Sequence, residues 1–276
     1  MSDRCTTARP PVHRFVLAAY LVTATLPLAC TTTAAAAADL PLKAPAAPPA
    51  YQWSGCYLGL NAGGGTSGTN LGSTVDLGTH LVGADPASVG ASGSGSANAD
   101  GFIGGGQVGC NLQTGHVVFG LEGDFDYFRS NPTFSNNTST LSDGVTPFSV
   151  TQSLTTDYLA TVRPRVGIGA DRTFVYVTGG VAFTQVNYSQ SYSDGAAPPG
   201  TGSAIFSKNL VGWTAGGGWE YALAGHWTLR AEYLFASFPT QSAVGAITDA
   251  SGGSNTLHGS ADLVIQVLRA GVNFKF

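Results

Sequence analysis

The chain has 276 residues, enough for one or two domains. Only 10% are charged, against about 25% in ordinary soluble domains, and its 38 glycines are about double the usual ~7% share. The net charge is −4, Lys and Arg are scattered, and no apolar run after residue 30 nears the ~20 residues of a membrane helix, so neither nucleic-acid binding nor a helical membrane protein fits.

The N-terminus reads as a targeting segment. Arg4, Arg9 and Arg14 form a basic region, Phe15 to Leu28 a short apolar stretch, and Ala36-x-Ala38 a small-residue cleavage site. This predicts a signal peptide over 1–38, with lipidation at Cys30 after Leu28-Ala29 as the alternative; Pro27 fits that alternative poorly. Residues 39–50 (DLPLKAPAAPPA) are expected to form an extended periplasmic linker, because Pro/Ala tracts favour polyproline II and bury little.

From residue 51 onward the chain alternates β-like segments with connections. The first strand, about 53–64, sets Cys56, Leu58, Leu60 and Ala62 against Tyr57, Gly59, Asn61 and Gly63. The second, 101–113, sets Phe102, Val108, Cys110 and Leu112 against Gln107, Asn111 and Gln113. The third, 117–128, opposes Phe119, Leu121, Phe125 and Tyr127 to Glu122, Asp124 and Asp126. The fourth, 154–168, opposes Tyr158, Ala160, Val162, Val166 and Ile168 to Leu159, Thr161, Arg163 and Arg165. The fifth, 174–184, the sixth, 209–221, and the seventh, 227–235, repeat the pattern, with Glu220, Arg230 and Glu232 on the polar face. The eighth, 262–276, carries Leu268, Ala270, Val272, Phe274 and Phe276 at alternate positions, with Arg269, Asn273 and Lys275 between them. A period-2 strand that stops on Phe276 is typical of a strand that closes an outer-membrane barrel.

Connections alternate long (66–100, 129–152, 185–207, 236–260) and short (Thr114-Gly115-His116, Ala170 to Thr173, Leu223 to His226). That alternation predicts an all-β, eight-stranded antiparallel up-and-down transmembrane barrel over 51–276, with polar, solvated loops outside and tight turns in the periplasm. Charge parity gives the orientation. Glu122, Asp124, Asp126, Arg163, Arg165, Glu220, Arg230, Glu232, Arg269 and Lys275 all oppose the aromatic face, and Arg or Lys facing lipid at mid-bilayer costs about 2–4 kcal/mol. The charges are therefore expected to meet in the lumen as a network, with Glu122 level with Arg165 and Asp124 level with Arg163; unpaired, hydrated lumen charges are the alternative. Cys56 and Cys110 lie outward near the periplasmic ends of adjacent strands, in an oxidising compartment. A disulfide is expected, and two lipid-facing thiols are the other reading.

Several segments resemble a known family. Trp53-Ser54-Gly55-Cys56-Tyr57-Leu58-Gly59 resembles the opening motif of alphaproteobacterial porin-like outer-membrane proteins, which include small Brucella surface antigens and rhizobial RopB. Gly105 to Gly109, Gly120 to Asp124, Leu159 to Arg163, Thr178 to Ala182 and Arg230 to Leu234 match in order, as do the Asp39-Leu40-Pro41 entry and the Phe276 end. The resemblance implies an OmpA-like barrel in the cell outer membrane. Cys56 and Cys110 stand where the family has aromatics, and Pro164 stands for a Gly; Pro removes a ladder donor, so a bulge or local break is expected there.

Other motifs carry less. Gly104-x-Gly106-x-x-Gly109 matches a dinucleotide fingerprint, but strand-like residues follow it where a helix is required, so its glycines are read as room for lumen side chains. His80, His116, His226 and His258 lack metal-ligand spacing and read as solvated loop or turn residues. Asn136-Asn137-Thr138 is a glycosylation sequon without meaning in a bacterial envelope. No catalytic, metal or cofactor site is expected. The leading expectation is a structural barrel that supports the envelope and presents surface loops. Its partners would be outer-membrane lipid and lipopolysaccharide, with the barrel-assembly machinery and periplasmic chaperones during biogenesis. A narrow channel for small solutes and a lipid A-modifying enzyme are the alternatives.

Overall fold

The computed structural model describes residues 51–276; the expected signal peptide, linker and Cys30 lie outside the described residues. The elements are β1 (Gly55–Val75), α1 (Asp85–Gly93), β2 (Gly95–Thr114), β3 (Val117–Ser130), β4 (Thr133–Thr140), β5 (Pro147–Ala170), β6 (Thr173–Asp194), β7 (Gly200–Ala222), β8 (Trp227–Asp249) and β9 (Ser254–Lys275). Every pairing is antiparallel, and the order β3-β2-β1-β9-β8-β7-β6-β5 closes on itself through β3–β5. β4 continues β3 along β5 after a register shift, so the ring has eight members. Tight turns at one end join β2 to β3, β5 to β6 and β7 to β8; Gly115 and Gly225 occupy positive φ (+63° and +62°), which a side chain would oppose.

The four long polar connections expected from the sequence are mostly strand. β1 runs on to Val75, β6 to Asp194 and β8 to Asp249, leaving true connections only at 76–94, 141–146, 195–199 and 250–253 beyond the short β3–β4 break. A membrane-crossing strand needs about 9–11 residues, and β6 has 22. The extra length was hidden because the pattern inverts partway up strands such as β6 and β9. In β6, Val175, Val177, Val181 and Phe183 face outward, but so do Gln185, Asn187, Ser189, Ser191 and Ser193 further along, while Val186, Tyr188 and Tyr192 turn inward and are buried. In β9 the outward row passes from Phe274, Val272 and Leu268 to Ser260, His258 and Thr256, and Leu257, Ala261, Leu263 and Ile265 fill the interior. Apolar-out, polar-in is the rule for a strand in lipid; polar-out, apolar-in is the rule for a strand in water.

Pro164 produces no bulge but breaks the β5–β6 ladder locally. β3 pairs it with Leu121 in an unbroken register, while the β5–β6 pairing skips Arg163 and Pro164 and resumes in the same register, from Val162↔Val181 to Arg165↔Thr178. Pro164 points outward, and its carbonyl accepts from Thr178 Oγ1 at 2.9 Å. The irregularity in β5 falls between Thr156 and Ala160, where the inward parity changes from Leu154 and Thr156 to Leu159 and Thr161. The β7–β8 ladder is also interrupted, between Ser203↔Ala246 and Trp213↔Ser237.

Candidate functional site

The interior is stacked in storeys, and the lower one is charged. The alternation of β3, β5, β7, β8 and β9 brings Glu122, Asp124, Asp126, Glu220 and Glu232 together with Arg163, Arg165, Arg230 and Arg269, all buried. Arg163 Nη2 donates to Glu122 Oε1 (2.8 Å) and Asp124 Oδ2 (2.7 Å), and its Nη1 to Glu232 Oε1 (3.2 Å). Arg230 grips both oxygens of Glu122, at 2.7 and 3.0 Å, and also meets Glu232. Arg269 joins Asp124 (3.0 Å), Glu232 (2.6 Å) and Asp126. Arg165 reaches Glu122 (3.4 Å) and Glu220 (3.3 Å) and stacks its guanidinium over Tyr57 and Tyr176.

The backbone register differs from the heights expected by counting. Glu122 pairs directly with Arg163, and Arg165 with Gly120, an offset of two residues. Long guanidinium arms span the difference, so each carboxylate meets more than one arginine. Sequence parity did not single out the neutral groups that complete the set. Tyr57 and Tyr176 donate to Glu122 and Glu232, Thr228 and Asn273 to Glu220, and Asn111 accepts from Arg165. Each of these also faces inward, so alternation could have named them; only their lack of charge concealed them.

Below this layer the chain entering β1 forms a floor. Trp53, expected at the start of the first strand, lies before it and turns under the barrel, 98% buried against Phe174, Val118, Tyr176 and Ala222. Tyr51 meets Trp53 edge-on, and Lys275 sits at the rim with its Nζ 4.4 Å from the Tyr51 ring centroid. Above the charged layer lies an apolar core of Ile103, Phe128, Leu154, Leu234, Ile247, Leu257, Ile265 and their neighbours. The 76–94 segment seals its outer end, inserting Leu81 and Val89.

Cys56 and Cys110 stand directly opposite each other across β1–β2 and form a disulfide. Phe274 and Phe276 face outward at the end of β9, where Phe274 packs edge-on against Trp227 (5.1 Å). Gly104, Gly106 and Gly109 all lie within β2; only Gly109 matches the expected lumen role, since a Cβ there would fall 2.3 Å from the Tyr57 hydroxyl, while Gly104 and Gly106 face outward with Phe102. His116 and His226 occupy turns, and His258 lies on β9, paired with Asp76 at 2.9 Å. His80 is not solvated: it is buried between Asp194 and Asp249. Among the described residues no cluster of three or more His, Cys, Asp or Glu is arranged to hold a metal ion.

Comparison with known proteins places this geometry in context. A family model described as "Outer membrane protein beta-barrel domain" matches residues 23–276. The 31 kDa outer-membrane immunogenic protein of Brucella melitensis is 33% identical over 253 residues, covering 88% of this chain and 94% of that one. The 25 kDa outer-membrane immunogenic protein of Brucella abortus is 27% identical over 256 residues, covering 92% and 94%. Among solved structures, the outer-membrane protease OmpT of Escherichia coli aligns over 83% of this chain and 99% of its own, with 8% identity and a TM-score of 0.39.

Proposed function

The chain belongs to the outer-membrane β-barrel protein family, and from that premise we propose a closed structural barrel that ties lipid to a rigid extracellular crown and catalyses no reaction. The observation that carries this reading is the buried Arg163–Glu122–Arg230–Glu232 cluster, which occupies the barrel section between the Trp53 floor and the apolar core. An eight-stranded interior is just wide enough for side chains to fill. Ion pairs this interlocked hold few free donors for a passing solute, and the layer above them is mostly apolar, with polar groups such as Gln152, Tyr188 and Gln190 already bonded to protein partners, so it offers an ion little in exchange for its water.

Among the described histidines, buried His80 has both ring nitrogens facing carboxylates, which leaves neither to act as a base toward a nucleophile. The partners proposed are outer-membrane lipid around the apolar belt and lipopolysaccharide around the polar upper wall, with the barrel-assembly machinery and periplasmic chaperones during biogenesis. Residues 1–38 are proposed as the exporting signal and 39–50 as a periplasmic linker. Planar-bilayer recording tests the closed lumen: the wild-type chain gives no steady openings, and Glu122→Ala introduces intermittent ones. Steady wild-type conductance that changes in Arg163→Ala would favour the narrow channel instead.

A further inference from the structure

The 76–94 segment crosses the outer mouth, and one of its side chains ties it to the ends of two other strands. His80 directs Nε2 at Asp194 Oδ2, at the end of β6, over 2.8 Å, and Nδ1 at Asp249 Oδ2, at the end of β8, over 2.7 Å. The imidazole is 5% exposed, and the carboxylates 0% and 5%. Three connections that are far apart in sequence thus meet at one ring. The site is shaped for it: a Cβ at Gly200 would lie 2.1 Å from Nε2, and one at Gly253 would lie 3.3 Å from the His80 Cα.

The chemistry follows from the two contacts. Imidazolium has two N–H donors, whereas neutral imidazole has one donor and one acceptor. Only the protonated ring can donate to both carboxylates. Loss of the proton turns one contact into a lone pair facing a buried carboxylate, which is costly in a desolvated site. We propose that His80 is a proton-operated latch, pinning residues 76–94 across the mouth of the barrel through Asp194 and Asp249 and releasing them when the imidazolium deprotonates.

The surrounding charges set the sign. Burial alone would lower the His80 pKa, but the two carboxylates outweigh it and hold it above its ordinary value. Asp194 is held low despite its burial, by the backbone N–H of Gly200, His80 and the Tyr192 hydroxyl. Asp249 is held low by Ser251, the backbone N–H of Gly253 and His80. The other titratable groups on the elements packed here are Tyr192 on β6, Asp76 and Asp85 in the segment itself, and His258 on β9, paired with Asp76. A group whose folded pKa is raised stabilises the folded form fully below its unfolded value, about 6.5 for His, and loses that contribution as pH climbs through the raised value. The latch is therefore closed below the raised His80 value and opens as pH climbs through it.

Release need not unfold the barrel. The start of the segment stays anchored to β9: Asn255 accepts from Leu81 N (2.8 Å) and donates to Leu81 O (2.9 Å) and Asp76 O (2.9 Å), Thr79 N donates to Ser254 O (2.9 Å), and His258 meets Asp76 (2.9 Å). Asp85 Oδ1 accepts from Ser142 N (2.7 Å).

Hydrogen–deuterium exchange on the full chain in detergent micelles, with rates corrected for intrinsic pH dependence, tests the latch. Protection of peptides within 76–94 should fall by about tenfold per pH unit above the raised His80 value, as expected for one proton, while β9 peptides hold. His80→Ala should be less protected than wild type in this segment and flat with pH, and His258→Gln should keep the wild-type pH dependence. A ¹³C-histidine NMR titration of the wild type keeps the proposal falsifiable if His80→Ala fails to fold: the His80 ring should titrate above the ordinary histidine value of about 6.5. Flat wild-type protection, the same pH dependence in His80→Ala, or a neutral His80 ring at pH 6.5 would each overturn it.

Discussion

The lower and upper halves of this barrel share strands and ring size, yet their chemistry is opposite. Below, Val175, Val177 and Phe183 face outward and arginines and glutamates face in; above, Ser189, Ser191 and Ser193 face outward and Val186, Leu257 and Ile247 face in. What lies outside decides what the inside can hold. Against lipid, burying apolar side chains in the lumen gains little, because the outward face already meets hydrocarbon; the lumen is filled instead by polar groups that satisfy one another. Against water, the same eight strands are stabilised by taking apolar surface out of solvent. One chain is thus a membrane barrel below and a water-soluble barrel above, and the changeover in β6 falls near Thr184.

Removing one group from each core separates the two regimes. Glu122→Ala in the lower half strips partners from Arg163, Arg165 and Arg230 at once. Breaking a buried ion pair by deleting one partner costs about 3–5 kcal/mol, so this is the largest single loss expected in urea unfolding from detergent or lipid vesicles. Leu257→Ala in the upper half should cost about 2–5 kcal/mol through transfer and cavity terms. The discriminating signature is charge: Glu122→Gln, which keeps the volume and removes only the charge, should lose most of what Glu122→Ala loses, whereas Leu257→Met, which restores apolar volume, should recover most of the Leu257→Ala deficit. A Glu122→Gln variant as stable as wild type would break the comparison.

The outer faces give a contrast of smaller size. Val177→Arg places a cation on the lipid side and should cost about 2–4 kcal/mol, or block insertion outright. Ser189→Arg, six pairs of residues higher on the same face of the same strand, points into water and should stay within about 0.5 kcal/mol of wild type. A large penalty at Ser189 would mean that the membrane reaches higher than Thr184.

This contrast also explains what the sequence disclosed. The lower half was legible because its outward face is apolar and aromatic, so period-2 alternation stood out and the charge parity followed. The upper half was not, because Ser, Thr, Asn and Gly on an outward face look like loop, and the inward Val186, Tyr188 and Tyr192 are spaced among them too sparsely to signal a strand. Membership of the lumen cluster could be read from alternation, but the register could not: counting from strand ends placed Glu122 level with Arg165, two residues from its true partner Arg163. The His80 contacts depend on three connections converging in space. Nothing in the local sequence around Asp194 or Asp249, each of which sits in a turn-like stretch of small residues, marks a shared partner.

The most direct test places a nitroxide at successive outward positions of β6, from Val175 to Ser193, in a chain whose four native cysteines are replaced and which is reconstituted in bilayers. Collision rates with oxygen, which concentrates in lipid, should be high from Val175 to Phe183. Collision rates with a water-soluble nickel chelate should take over from Gln185 to Ser193, with the even-numbered positions between them shielded from both. Oxygen-dominated collisions as far as Ser193 would place the upper half in lipid, and high nickel collisions at Tyr188 and Val186 would dissolve it into solvated loop; either result contradicts a membrane barrel continued upward as a water-soluble one.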